Sequence, residues 1–249
     1  DVEQFFRTYY APNNAVLTLC GDFEIAHALE RVRYWFGEIP PGPPVPPIPG
    51  VTEVPPFLGE HVRAVVEQDI SLPRVYIGFR IPPYGTPGYY PAAVTAHVLA
   101  WGKASLLYRR LVRELRVAQD VAAYAFPFVV GAAMLVIWAT ARPGVTADAL
   151  EAALDRELAG LRDVDAADVE RAIHLIEVRH LSDLQRVDER ADLLSMFTML
   201  FDDPDRINTE LDRVRAVTPQ AVREFAEARI IEENRATLQY VPRDGRRGS

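Results

Sequence analysis

Residues 40–56 read PPGPPVPPIPGVTEVPP, with nine prolines. Each proline fixes φ and lacks a backbone N–H, so no helix or interior strand can pass through this stretch. Such a run reads either as a long surface loop or, on the stronger reading, as a semi-rigid, extended spacer expected to divide the chain. Residues 1–39 lie before it. Residues 57–242 form a much longer segment after it, and 243–249, RDGRRGS, make a polar tail expected to be disordered. Proteolysis is expected at Val51–Val54, away from the proline clusters.

The short segment carries a helical pattern over Val2–Tyr10, a break at Pro12–Asn14, an alternating strand at Ala15–Cys20 and a second helix at Ile25–Phe36. In the long segment, strands are expected at Val62–Gln68, Arg74–Ile81, Val117–Phe128 and Ala133–Ala141. The last of these is apolar on both faces and so belongs inside a sheet. Helices are expected at Pro91–Trp101, Leu106–Leu115, Thr146–Leu161, across Asp165–Phe201 and from Asp203–Pro204 to Arg213. Thr218–Pro219 is a helix start, with Thr as cap and Pro in the first helical position, and that helix runs to Ile230. A closing strand follows at Ala236–Tyr240.

The two ends of the chain resemble one another. At an offset of 220, Val2, Phe5 and Asn14 meet Val222, Phe225 and Asn234, and with one further residue Ala15 and Leu17 meet Ala236 and Leu238. Both segments read helix, break, strand. A repeat of this kind makes 57–242 one complete unit and 1–39 the tail of a preceding homologous one, with roughly 180 residues expected upstream. The opening DVEQFF, which reads as the interior of a helix, fits that expectation.

Composition excludes several classes. A net charge of -8 is the wrong sign for a nucleic-acid footprint. The single Cys20 precludes an internal disulfide or a cysteine-rich metal site. The longest apolar run, around Phe126–Ala141, is interrupted by Pro127 and Gly131, so nothing reads as a membrane-spanning helix. The five histidines are His27, His61, His97, His174 and His180. The stretch HLIEVRH, 174–180, has the look of a zinc motif. Helical residues advance about 100° each, so ligands at i and i+4 share a face, whereas His174 and His180 point about 120° apart. No metal site is expected there, and none elsewhere in the chain.

Three segments carry a family resemblance: YYAPNNAVLTLCGDF (9–23), WGKASLLYRRLVRELRVAQDVAAYA (101–125) and TARPGVTADALEAALDRELAGL (140–161). Together they resemble the insulinase/pitrilysin family of zinc peptidases, in particular bacterial members related to mitochondrial processing peptidases. The most specific part is a small-residue turn followed by the family's S-x-L-x-x-x-L-R-E, matched by Ser105, Leu107 and Leu111 and, only after the intervening Val112, by Arg113-Glu114.

The resemblance implies an α+β fold of two-layer αβ units, each with a mixed, largely antiparallel sheet and helices on one face. It implies two similar halves closing like a clamshell around an unfolded peptide. The first half carries H-x-x-E-H and a distant glutamate as zinc ligands. The second lacks them and holds substrate, often through an arginine and a tyrosine about seven residues apart. This chain has no H-x-x-E-H and reads as the second half, inactive alone, with zinc expected in the upstream half. Arg113 matches the family arginine. The tyrosine position falls on Gln119 or Asp120, and Tyr124 lies a few residues on, sharing a face with Asp120 if the segment is a strand. These four residues are the expected substrate-binding set, with no catalytic residue in the chain. Expected partners are the N-terminal homologous half, in the same chain or a separate subunit, an unfolded peptide, and a second copy in a homo-oligomer. A soluble protein of the cytoplasm or periplasm is implied. The departure at the tyrosine position keeps a second reading open, a non-catalytic scaffold that binds peptides or proteins without cleaving them.

Overall fold

A computed structural model describes residues 1–47 and 54–243. In chain order the elements are α1 (Val2–Tyr9), α2 (Ile25–Phe36), β1 (Val62–Gln68), β2 (Arg74–Ile81), α3 (Tyr89–Ala100), β3 (Ala118–Phe126), β4 (Ala133–Ala141), α4 (Ala147–Ala159), α5 (Ala166–Gln185), α6 (Val187–Phe201), α7 (Arg206–Arg215), α8 (Pro219–Arg229) and β5 (Arg235–Pro242). The chain groups into two compact units, Asp1–Gly50 with Arg179–Glu210, and Val51–Val178 with Leu211–Ser249. This grouping differs from the expected boundaries in joining the helices of 179–210 to the N-terminal segment. Pro40–Pro47 carry neither helix nor strand, while residues 48–53 of the proline stretch and the tail from 244 onward lie outside the described residues.

The larger unit is built on one five-stranded sheet in the order β1-β5-β2-β4-β3. β1 and β5 run parallel, and the other three pairings are antiparallel. The alternation in β2 decides its faces: Val75, Ile77, Phe79 and Ile81 are buried, whereas Arg74, Tyr76, Gly78 and Arg80 are half-exposed. β4 lies between β2 and β3, as its apolar character requires. The expected closing strand is not an edge, because β5 is inserted between β1 and β2. α3 is apolar nearly all round and accordingly buries eight of its residues. α4 and α8 begin at Thr146 and Thr218, whose hydroxyls accept the backbone N–H of Ala149 and Ala221 at 3.2 and 3.1 Å. These helices and one face of the sheet enclose the core.

The face toward α4 is fastened by charge. Arg235 donates to Glu151 and Asp155 at 2.8 and 2.7 Å, and Arg63 to Asp148 at 2.8 Å. Gln239 donates to Glu151 and Asp148 at 2.7 and 3.0 Å.

Three expectations need correction. Leu106–Leu115 is not a regular α-helix: Tyr108–Glu114 is wound as a π-helix. The helical region 165–201 is broken at Arg186, which adopts an extended conformation and caps α6. Ala15–Cys20 alternates in exposure as a strand would, yet pairs with no strand among the described residues. Within the smaller unit this segment is held by Thr18, whose hydroxyl accepts from Ser195 at 2.7 Å.

Candidate functional site

The segment 101–125 is the most sharply shaped part of the larger unit. Gly102 has φ +81, a conformation open to glycine, and so starts a tight turn. Ser105 is fully buried and donates its hydroxyl to the Gly102 carbonyl at 2.7 Å. The π-helix that follows spaces its bonds one residue wider than an α-helix, with the Leu115 N–H reaching the Arg110 carbonyl at 2.8 Å. Such turns recur at functional positions. Here it buries Leu111 and Val112 while turning its arginines outward.

Those arginines have different fates. Arg109 pairs with Asp168 at 2.9 Å, and Arg110 with Glu114 and, at 3.2 Å, with Glu157. Arg113 is exposed and makes no side-chain hydrogen bond or ion pair among the described residues.

The chain then passes through Arg116, at φ +55, into β3, an edge strand. The pairing register jumps between Ala118 and Asp120, so Gln119 is the extra residue of a bulge and is exposed. Beyond the bulge Asp120 lies opposite Thr140 and Tyr124 opposite Val136, which puts both on one face, as the expectation for a strand required. Arg113, on the preceding turn, contacts none of the three through a side-chain bond. Asp120 instead accepts the Thr140 hydroxyl at 3.1 Å, and Thr140 in turn accepts Arg74 Nε at 2.9 Å. The Tyr76 hydroxyl accepts from the same guanidinium and, with the charge of Asp120, pushes Arg74 further above its ordinary range. Tyr76 also stacks on Trp138 and meets Tyr240 edge-on. Sequence reasoning missed this group. Its members come from β2, β3, β4 and β5, so only sheet register brings them together. The one signal was the set of polar and aromatic residues alternating with apolar ones along β2.

His174 and His180 lie on the regular helix α5, where their spacing separates them. Glu177 between them is hydrogen-bonded to Arg215, which holds its carboxyl below the usual range, the opposite of what a general base requires. Among the described residues no three His, Cys, Asp or Glu side chains are grouped to hold a metal ion. The donors of 174–180 do not fit zinc.

Comparison with known proteins bears on this geometry. The family model described as peptidase M16 inactive domain matches residues 1–176. No curated protein matches the chain. A protease from Helicobacter pylori superposes with a TM-score of 0.87 at 19% identity, over 97% of this chain and 58% of that one. A peptidase M16 inactive domain from Pseudomonas fluorescens gives 0.72 at 13% identity, over 89% of this chain and 52% of that one. A chain of complex III from Candida albicans gives 0.68 at 16% identity, over 88% and 53%. At these identities the structural likeness shows the fold alone. The chain spans little more than half the length of each of these three.

Proposed function

The chain belongs to the family of peptidase M16 inactive domains, and on that premise we propose that it is the non-zinc half of a zinc-dependent endopeptidase, forming the chamber wall and peptide-holding surface opposite a catalytic half. The observation that carries this reading is a difference in burial between two like segments. Val222, Phe225 and Ala226 of α8 are 0%, 7% and 3% exposed. Val2, Phe5 and Phe6, at the same offset in α1, are 73%, 52% and 52% exposed. The α8 copy leads into β5, which has a strand on each side, while the α1 copy leads into Ala15–Cys20, which has none among the described residues. Burying side chains of this size stabilises by about 1.5–3 kcal/mol each, so the exposed copy has a strong drive to seat in another sheet. A homologous half supplies a matching place.

In the assembled protein, zinc and its glutamate base belong to that other half. The residues of this chain bind and orient. Arg113 offers an unpaired guanidinium to a peptide carbonyl, Gln119 an amide lifted out of the sheet by its bulge, and Tyr124 a phenol on the open face. Asp120 is committed to Thr140 and supports the face.

Metal analysis and a quenched-peptide assay test this. The purified chain is expected to bind no zinc stoichiometrically and to cleave nothing. Supplying a half with H-x-x-E-H, in cis or in trans, is expected to give hydrolysis, and Arg113→Ala to slow it. One zinc per chain that disappears in His174→Ala overturns the assignment. A second reading, the non-catalytic scaffold, is favoured by the lack of tyrosine at 119 and 120 and by the same fold in a complex III chain. An upstream half without H-x-x-E-H decides for it.

A further inference from the structure

The open face of the sheet, away from α4, carries a second feature where β1 turns into β2. Ile70, Ser71 and Leu72 of the turn, with Arg74, Tyr76 and Tyr240 from the strands, line a hollow of about 500 Å³. Register builds it: Arg74 lies opposite Thr140 on one side and Tyr240 on the other. The Tyr76 ring stacks on Trp138 with centroids 6.2 Å apart and meets Tyr240 edge-on at 5.9 Å, which fixes the aromatic wall.

The one arginine lining this hollow makes no direct bond to a carboxylate among the described residues. Arg63, Arg109, Arg110 and Arg235 each meet a carboxylate directly. Arg74 does not. It spends Nε on the Thr140 hydroxyl at 2.9 Å and Nη1 on the Tyr76 hydroxyl at 3.4 Å, both neutral acceptors. Asp120 stands behind Thr140, bonded to its hydroxyl, and acts on Arg74 through its charge without a direct bond. The guanidinium is thus held in place by neutral hydrogen-bond partners, and Nη2 makes no bond among the described residues. Ser71 and Tyr240, each bearing a hydroxyl, line the same hollow together with apolar Ile70 and Leu72. A positioned guanidinium beside hydroxyl donors and an apolar wall fits a carboxylate attached to an apolar residue.

We propose that this hollow receives a carboxylate of the bound peptide, seated on Arg74 with the Ser71 and Tyr240 hydroxyls, while the adjoining apolar side chain lies against Ile70 and Leu72. The proposal rests on the reading of this chain as a peptide-holding half. The carboxylate can come from the free C-terminus or from an Asp or Glu side chain. Because the chain carries a net charge of -8, its long-range field repels an acidic peptide, and capture depends on the short-range fit at Arg74.

Fluorescence anisotropy with a rhodamine-labelled unfolded peptide that ends in Phe-Leu and lacks Asp and Glu tests it on the full chain. The free-acid peptide is expected to bind about tenfold or more tightly than its amide. Arg74→Gln should remove that preference, and Arg74→Lys should restore part of it. A single Glu added to the amidated peptide identifies the side-chain source if it recovers binding, and the C-terminal source if it does not. Equal binding of acid and amide, or a preference that survives Arg74→Gln, overturns the carboxylate site and leaves the peptide-holding reading standing. Absence of binding by either peptide overturns both. Should Arg74→Gln fail to fold, the acid-to-amide comparison on the unaltered chain decides alone.

Discussion

Asn14 and Asn234 make the same bond in two places: each donates its side-chain amide to the backbone carbonyl five residues earlier, Tyr9 and Arg229, at 2.9 Å in both cases. Their backbone N–H groups likewise reach back three residues, to Ala11 and Ile231. Each therefore satisfies a carbonyl at the end of a helix and turns the chain through a short 3₁₀ segment into extended backbone. The repeat is thus one of mechanism as well as of letters. The two differ in what lies beyond: Asn234 is fully buried and donates also to the Arg80 carbonyl at the end of β2.

That second bond sets a difference in cost. Asn234→Ala leaves the Arg80 and Arg229 carbonyls without this donor inside the larger unit, but it also removes an Oδ1 that has no protein partner among the described residues. The net loss is expected at about 1–2 kcal/mol. Asn14→Ala, at a half-buried position, should cost under about 1 kcal/mol. Urea unfolding of the two variants measures this, and equal losses would contradict the structural difference.

Phe5 and Phe225 give the sharper contrast. Phe225→Ala opens a cavity in the core beside α8 and should cost about 3–5 kcal/mol. Phe5→Ala removes a ring that is half exposed and should change the stability of the chain by less than about 1 kcal/mol. If α1 seats in a homologous half, the same Phe5→Ala should weaken association with that half by at least about tenfold, read by titration calorimetry. Association unaffected by Phe5→Ala removes α1 from the interface.

Strands with one buried face were the legible part of this fold. Arg74–Ile81 and Ala133–Ala141 alternate or run apolar because packing demands it, and both form where the pattern placed them. Ala15–Cys20 has an equally good pattern and forms no ladder, since a strand exists only with a partner and the pattern cannot say whether one is present. The break at Arg186 has no Gly or Pro to announce it. It is carried by the Arg186 side chain bonded to Asp188 and by the acidic first turn of α6. The π-helix at Tyr108–Glu114 was hidden for a different reason: one widened turn scarcely alters the apolar spacing. In the site, Arg113 could be singled out because its motif is local, whereas Arg74, Tyr76, Thr140 and Tyr240 meet only through register.

Arg109 and Arg113 share a turn and should separate stability from function. Arg109 meets the largely buried Asp168, which retains Arg171 as a second partner. Since Arg109 is itself well exposed, its loss should cost about 1 kcal/mol or less. Arg113→Ala, with no partner to lose, should leave the urea midpoint unchanged within about 0.5 kcal/mol and yet reduce peptide turnover in the assembled protein. A destabilised Arg113→Ala would show that the side chain serves the fold.

Acid should loosen the larger unit through two carboxylates, the exposed Asp148 and the half-buried Glu177. The Gln239 amide and the Arg63 guanidinium hold Asp148 below its ordinary 3.8, and Arg215 holds Glu177 below its ordinary 4.5. In each case the folded form releases its proton at lower pH than the unfolded chain does. The unfolded chain therefore binds more protons in the window below 4.5, and stability rises with pH there. These contributions are complete above the ordinary values and are lost as pH falls through the depressed ones. The urea midpoint should thus drop on going from about pH 6 to about pH 3, and drop less in Asp148→Asn with Glu177→Gln. Arg63 keeps Glu151 in that variant, so the attachment of β1 to α4 is retained and the comparison reports titration. Salt at about 0.5 M should narrow the difference between variant and unaltered chain, because both pairs face solvent. An equal acid-induced drop in the two proteins would assign the loss to other groups.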